Sequence, residues 1–113
     1  MSATHARLIE IVEQHEAWRK QGDLPLLPAA VQQVFQMLAS CDARTLEALR
    51  LYPTPNGGLK VQARGETRTA LVFCSADLTG AVLDLSRDSD EHWSNLTPAA
   101  AAALAAWVLS NGA

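Results

Sequence analysis

His15 is the residue best suited to acid–base chemistry in this 113-residue sequence. It recurs at helical spacing with Leu8, Ile11 and Trp18, so it belongs to the apolar stripe of a helix. No Cys or second His stands three or four residues away to complete a metal-binding pair. The pattern therefore favours a core or interface histidine. The alternative is a small-molecule-binding protein or minor enzyme with a pocket near His15 and Trp18.

Carboxylates are concentrated in residues 84–92, which carry four acidic side chains against one arginine. Carboxylate oxygens are the donors that hard cations prefer. The spacing lacks the alternating Asp pattern, the glycine and the later Glu of a calcium-binding loop. We therefore expect a solvated acidic loop without a metal ion. Trp93 follows directly, and we expect it to fold inward, with an exposed interface anchor as the alternative.

Basic side chains are grouped at Lys60, Arg64 and Arg68, on a segment that reads as a hairpin. Such a group could contact a phosphate backbone, but no recognised nucleic-acid module or stacking platform accompanies it. The net charge of −3 also argues against a general nucleic-acid binder. Charges on sheet edges commonly prevent edge-to-edge aggregation, and we expect that role here.

Motifs for nucleophilic catalysis and for nucleotide binding are absent from the sequence. Cys74 has apolar neighbours and no base beside it that would activate a thiol. Together with Cys41 it is expected to be a buried free thiol in a reducing cytoplasm, although a disulfide between the two is the alternative. These observations favour a protein that is not an enzyme and that needs no cofactor.

The composition is that of one globular α+β domain spanning residues 1–113, with 49% hydrophobic and 19% charged residues. Alanine and arginine are frequent, which is typical of a bacterial protein from a GC-rich genome. The N-terminus lacks a continuous apolar stretch of the kind a secretory signal contains. No apolar run reaches the ~20 residues that a membrane span requires. We therefore expect a cytoplasmic protein without a membrane partner.

Hydrophobic periodicity predicts four helices around a three-stranded antiparallel meander. The predicted helices span about residues 4–21, 28–40, 43–50 and 98–110, and the predicted strands span about 58–64, 67–75 and 81–86. The predicted buried helix positions are Leu8, Ile11, Val12, His15 and Trp18 in the first helix, Val31, Val34, Phe35 and Leu38 in the second, and Leu104, Trp107 and Val108 in the last.

The turns predict how the strands pair. A two-residue loop at 65–66 would place Val61 opposite Ala70. A four-residue loop at 77–80 would place Cys74 opposite Leu83. Both pairings bring the same set of small and medium apolar residues to one face, which suits the close approach of the alanine-rich last helix. That set is Leu59, Val61, Ala63, Ala70, Val72, Cys74, Ala81, Leu83 and Leu85.

The second face of the predicted sheet is mostly polar, with an apolar patch near its centre. This patch could be covered in two ways. One is a helix of the same chain, such as the first, and the other is a partner protein or a second copy. Because the sequence lacks catalytic motifs, we expect a non-enzymatic interaction or regulatory protein acting through this face. The residues predicted to bind are Lys60, Leu71, Phe73, Val82 and Asp84.

Overall fold

The computed structural model describes residues 2–66, 68–74, 79–85, 89–93 and 96–110, with side chains described in 2–66, 68–74 and 96–110. Within these residues the chain forms four helices and five strands. Their order is α1 (Ala3–Trp18), α2 (Pro28–Ala39), α3 (Ala43–Ala48), β1 (Leu49–Pro53), β2 (Leu59–Arg64), β3 (Arg68–Cys74), β4 (Thr79–Leu85), β5 (Ser89–Trp93) and α4 (Pro98–Ser110). The predicted α+β class is confirmed.

The strands form one antiparallel sheet in the order β1-β2-β3-β4-β5. The three predicted strands are its centre, and each edge carries a strand that was not predicted. The helix predicted over residues 43–50 ends at Ala48, and β1 begins at Leu49. Leu49 and Leu51 are buried while Arg50 and Tyr52 are exposed, which is the alternation of a half-buried strand. Pairing with β2 therefore prevails over the helical spacing at the end of this segment.

The acidic segment 84–92 was predicted to be a loop, but much of it is strand. It contains the end of β4 and most of β5, and residues 86–88 lie outside the described part. Asp84 pairs with Asp90, and Ala81 pairs with Trp93. Charged residues are common on edge strands, so acidic composition alone was a poor guide to loop structure. The direction of the Trp93 side chain lies outside the described side chains and stays a prediction.

Both hairpins differ in register from prediction, and both differ by an even number of residues. The residue paired with Val61 lies two positions later in the sequence than predicted. The residue paired with Cys74 lies four positions earlier than predicted. Because successive residues alternate between faces, even shifts leave each residue on its predicted face. The pairs that replace Val61–Ala70 and Cys74–Leu83 are Val61–Val72 and Cys74–Thr79.

The helices pack against one face of this sheet. α1 contacts β1, both α2 and α4 contact β2 and β3, and α3 contacts α1 and α4. The strand residues buried beneath the helices all belong to one alternation set: Leu49, Leu51, Leu59, Val61, Ala63, Ala70, Val72 and Cys74. Helix α1 was one candidate to cover the opposite face, but it lies over the edge of this one.

Alanines carry much of the contact between the helices and the sheet. Ala30 of α2 and Ala101, Ala102 and Ala105 of α4 are almost completely buried, beside Val34, Met37, Leu38 and Val108. A helix surface of small residues lets the helix backbone approach the sheet closely. The aromatic rings of Phe35 and Trp107 remain exposed outside this contact.

Four residues predicted to be buried are exposed instead: Val12, Trp18, Phe35 and Trp107. The buried stripe of α1 is Thr4, Leu8, Ile11 and His15. The Thr4 hydroxyl donates to the Leu46 carbonyl, which fixes the rotation of α1 against α3 and turns Val12 outward.

The predicted start signals of the helices and the turn at 55–58 are confirmed. Asp42 and Thr97 accept hydrogen bonds from the backbone N–H groups of Thr45 and Ala100, at 2.7 and 3.1 Å. The Gly57 N–H donates to the Thr54 carbonyl at 3.1 Å. Within the described residues, no helix combines the length and the apolar character required to cross a membrane.

Candidate functional site

The face of the sheet opposite the helices carries the residues that were predicted to bind a partner. We call it the open face. Its positions on the three strands with described side chains are Arg50, Tyr52, Lys60, Gln62, Arg64, Thr69, Leu71 and Phe73. The register continues the same face through positions 80, 82 and 84 of β4 and 90 and 92 of β5. No helix of the described residues packs on it.

Aromatic and apolar side chains occupy the middle of the open face. Phe73 is 41% exposed and Tyr52 is 39% exposed, and Leu71 is half-buried. Lys60 lies between the two rings in register, and its Nζ is 5.1 Å from the centre of the Tyr52 ring. A cation at this distance is attracted to the ring face, which helps to order both side chains.

A depression of about 460 Å³ lies at one end of the open face. Lys60 and Phe73 form part of its wall, and the β1–β2 loop supplies Pro53, Thr54 and Asn56. Hydrogen bonds hold this loop against the chain between α1 and α2. The Leu24 N–H donates to the Pro55 carbonyl, and the Leu27 N–H donates to the Gly57 carbonyl, both at 2.8 Å. The depression is therefore bounded by an anchored loop.

The five predicted binding residues occupy neighbouring positions on one face. Lys60 pairs with Phe73 across β2 and β3. Leu71 pairs with Val82, and Asp84 pairs with Thr69 one step further along the same strands. For Val82 and Asp84 the statement concerns strand position, because their side chains are not among those described.

Tyr52 and Arg50 belong to the open face but were not predicted. The segment that carries them was read as the end of a helix followed by a proline stop. The alternation of Leu49 and Leu51 with these two residues was the signal that could have found them. Strand β1 therefore places the aromatic ring of Tyr52 beside Lys60 of β2.

Charge is distributed unevenly across the open face. Its basic residues Arg50, Lys60 and Arg64 lie on β1 and β2. Its acidic residues Asp84 and Asp90 lie on β4 and β5 and are paired with each other. The apolar centre on β3 separates the two. The face is therefore polarised from one edge of the sheet to the other.

His15 and Trp18 line a separate groove of about 290 Å³, at the C-terminal end of α1. His15 is only 6% exposed, whereas Trp18 is 44% exposed. The Arg7 guanidinium lies 5.5 Å from the centre of the Trp18 ring. Pro53 closes the groove from the sheet side. The structure thus brings together the two residues of the alternative small-molecule site.

A second apolar surface lies on the outside of the helical layer. Phe35 of α2 is 58% exposed, and Ile9 and Val12 of α1 are 43% and 49% exposed. The His5 ring meets Phe35 edge-on, with ring centres 6.2 Å apart. This surface was not predicted, because Phe35 was expected to be buried.

The titratable groups in the described residues give little support to covalent or metal chemistry. Cys41 and Cys74 are not joined in a disulfide, and burial, followed by the charge of Asp42, raises the pKa of the Cys41 thiol. A raised pKa keeps the thiol protonated and weakly nucleophilic. The pKa of Asp42 is lowered, first by the backbone N–H of Thr45, which is a capping interaction. No three metal-ligating side chains come together in the part of the chain that the structure describes.

No family model, curated protein or solved structure matches this chain. The open face, the His15 groove and the helix surface are the features from which a function can be inferred.

Proposed function

We propose that this protein is a non-enzymatic interaction or regulatory protein that binds a polypeptide through the open face. One observation carries the proposal: the helices cover one side of the sheet and leave Tyr52, Leu71 and Phe73 on the other. Exposed apolar surface with a polar rim is typical of protein-binding sites, and aromatic residues are enriched there. The binding residues are Lys60, Leu71, Phe73, Val82 and Asp84, to which Tyr52 is added.

The geometry of the open face suits a polypeptide more than a nucleic acid. The basic residues of β1 and β2 could attract phosphate, and Tyr52 and Phe73 could stack on bases. The aspartates at positions 84 and 90 lie on the same face and would repel a phosphate backbone. A protein partner can meet both charges and the apolar centre. Two cysteines that are not joined in a disulfide support a location in the reducing cytoplasm.

Site-specific photocrosslinking in the native host tests the proposal. Benzoylphenylalanine is introduced at Phe73, and in a matched chain at Gln14, an exposed position on α1. We expect polypeptide adducts from position 73 that disappear when Leu71→Asp is added, and none from position 14. Absence of a polypeptide adduct at position 73 overturns the proposal. So does tight binding of a fluorescent single-stranded RNA that Lys60→Asp abolishes.

The His15 groove supports a second candidate function, the binding of a small molecule. The supporting observation is that His15 and Trp18 line the same groove. Thermal unfolding is measured with nucleotides, sugar phosphates and amino acids as probes, for the wild type and for His15→Gln. A ligand that raises Tm in the wild type and not in the variant would favour this function. No rise with any probe leaves the open face as the stronger site.

A further inference from the structure

We propose that the polypeptide bound by the open face is a second copy of this chain, related by a two-fold axis that runs along β3. This inference rests on the proposed function and names the partner for it. It follows from the order of charges across the sheet.

The open face has three zones that follow the strand order. The basic zone on β1 and β2 contains Arg50, Lys60 and Arg64. The apolar zone is centred on β3, with Leu71 and Phe73. The acidic zone on β4 and β5 contains the positions of Asp84 and Asp90. The zones of opposite charge therefore lie on either side of β3.

A two-fold axis along β3 brings opposite charges together. Rotation about this axis places β2 of one copy over β4 of the other and leaves β3 over β3. Arg64 and Asp84 lie at the same level of the sheet, because both are aligned with Thr69. Arg64 therefore comes over Asp84 of the second copy. In such an isologous interface the contact occurs twice.

The same rotation matches the shapes along the centre of the face. Leu71 and Phe73 lie on the axis strand, so each comes close to its own counterpart. Lys60 and Gly80 are both aligned with Phe73, so Lys60 comes over Gly80 of the second copy. Glycine has no side chain to obstruct the lysine. Face-to-face sheets of this kind pack about 10 Å apart with strands within about 30° of alignment.

The register of a single copy favours this partner over an uncharged one. Positions 84 and 90, both aspartates, are paired on neighbouring strands and so concentrate negative charge on one side of β3. A partner that brings basic residues to the same level of the sheet complements that charge. An axis perpendicular to the strands would instead place the basic zone over the basic zone, which electrostatic repulsion disfavours. The charges thus select one of the two face-to-face arrangements.

Sedimentation-equilibrium analysis of charge-reversal variants tests the arrangement. We expect the wild type to dimerise and Arg64→Asp and Asp84→Arg each to weaken the dimer by about tenfold or more. We expect the double variant, with both charges reversed, to regain most of the lost affinity. Glu13→Arg, on the exposed side of α1, is the matched control and leaves the dimer unchanged.

A thiol crosslink keeps the inference testable if a charge reversal impairs folding. Phe73→Cys is expected to form an intermolecular disulfide on mild oxidation, because the axis brings position 73 close to its own counterpart. Phe35→Cys, on the helix surface, is the comparison and should remain a monomer on a non-reducing gel.

The outcomes separate this inference from the function on which it rests. A wild type that is monomeric at all concentrations overturns the second copy, and photoadducts to another protein at position 73 would then leave the proposed function standing. A dimer that survives both charge reversals and is crosslinked through position 35 also overturns it. Absence of both dimers and photoadducts overturns both proposals.

Discussion

The two faces of the sheet are built from alternate residues of the same strands, yet the helices cover only one of them. On β3 the buried Val72 stands between Leu71 and Phe73, which are half-buried and exposed. Leu59 and Leu71 have the same side chain, and only Leu59 is completely buried. The hydrophobicity of one residue therefore does not decide its burial, and the composition of the whole face does. The strand positions buried beneath the helices are all apolar, whereas the other face also carries Arg50, Lys60 and Arg64.

Truncating a leucine on each face should give the largest difference in the free energy of unfolding between the two faces. Leu59→Ala removes a completely buried side chain and is expected to lower the free energy of unfolding by about 2–5 kcal/mol. Leu71→Ala on the open face should cost less than about 1 kcal/mol. Urea unfolding of both variants measures the difference. Equal costs would show that the open face is also covered within the chain.

The β1–β2 loop provides a second test of the two faces, because it connects the open face with the helical layer. Gly57 has φ +84°, and a Cβ there would overlap the Pro25 carbonyl oxygen. Gly57→Ala should therefore lower stability by about 1–3 kcal/mol. Gly22 has φ +94° with no atom near its missing Cβ, so Gly22→Ala should carry only the backbone strain, about 1 kcal/mol. Thermal unfolding distinguishes the two, and an equal loss would contradict the close approach.

Two arginines of the β2–β3 hairpin provide a smaller test of the same contrast. Arg68 lies on the helix side, and its guanidinium carbon is 4.4 Å from the centre of the Trp107 ring. Arg68→Ala should lower the free energy of unfolding by about 0.5–2 kcal/mol. Arg64, exposed on the open face, should change the stability of the monomer by less than about 0.5 kcal/mol when it is replaced by alanine. Chemical denaturation at a concentration below dimerisation measures both, and a reversed order would contradict the face assignment.

The smallest expected effect concerns Asp42, which caps α3 in the helical layer. The hydrogen bond from Thr45 lowers the pKa of its carboxyl, so the ionised form stabilises the folded chain. That contribution is present above the usual carboxyl pKa and is lost as pH falls through the lowered one. Asp42→Ala should be less stable than the wild type at pH 7, and the gap should narrow in acid.

Asp42→Asn supplies the control, because asparagine can still accept the capping hydrogen bond. It should be close to the wild type at neutral pH and should lack the wild type's loss of stability in acid. A gap between Asp42→Ala and wild type that is independent of pH would contradict a role for the ionised cap. Thermal unfolding across the acid range measures these differences.

Side-chain alternation and capping residues made much of this architecture predictable. Asp42 and Thr97 marked the starts of two helices. The alternation of apolar and polar residues around Val61 and Val72 showed which side chains share a face of the sheet. The predicted pairing of β2 with β3 was wrong, because the length of the turn was inferred from Gly65. The turn in the structure is longer, and the Gly65 N–H donates to the Arg68 carbonyl at 2.8 Å. The face assigned to each residue was still correct, because the register differed by an even number of residues.

The edge strands and the helix rotations could not be predicted from local patterns. Leu49 fits both a helix and a strand, and only pairing with Ala63 selects the strand. Phe35 fits the apolar stripe of α2, but the buried alanines show that close packing prevails over the burial of a large ring. For the candidate site, Lys60, Leu71 and Phe73 followed from alternation, whereas Tyr52 depended on the missed strand.

The strand order has a consequence for how the chain is assembled. Every strand pairs with its sequence neighbour, so the sheet can grow by successive hairpins with short loop closures. Helix α4 is synthesised after all five strands, yet it supplies Ala101, Ala105 and Val108 to the core and packs against α2. Until α4 has left the ribosome, the apolar side of the sheet lacks part of its cover. A sheet that formed before α4 had left the ribosome would therefore expose apolar surface on both sides.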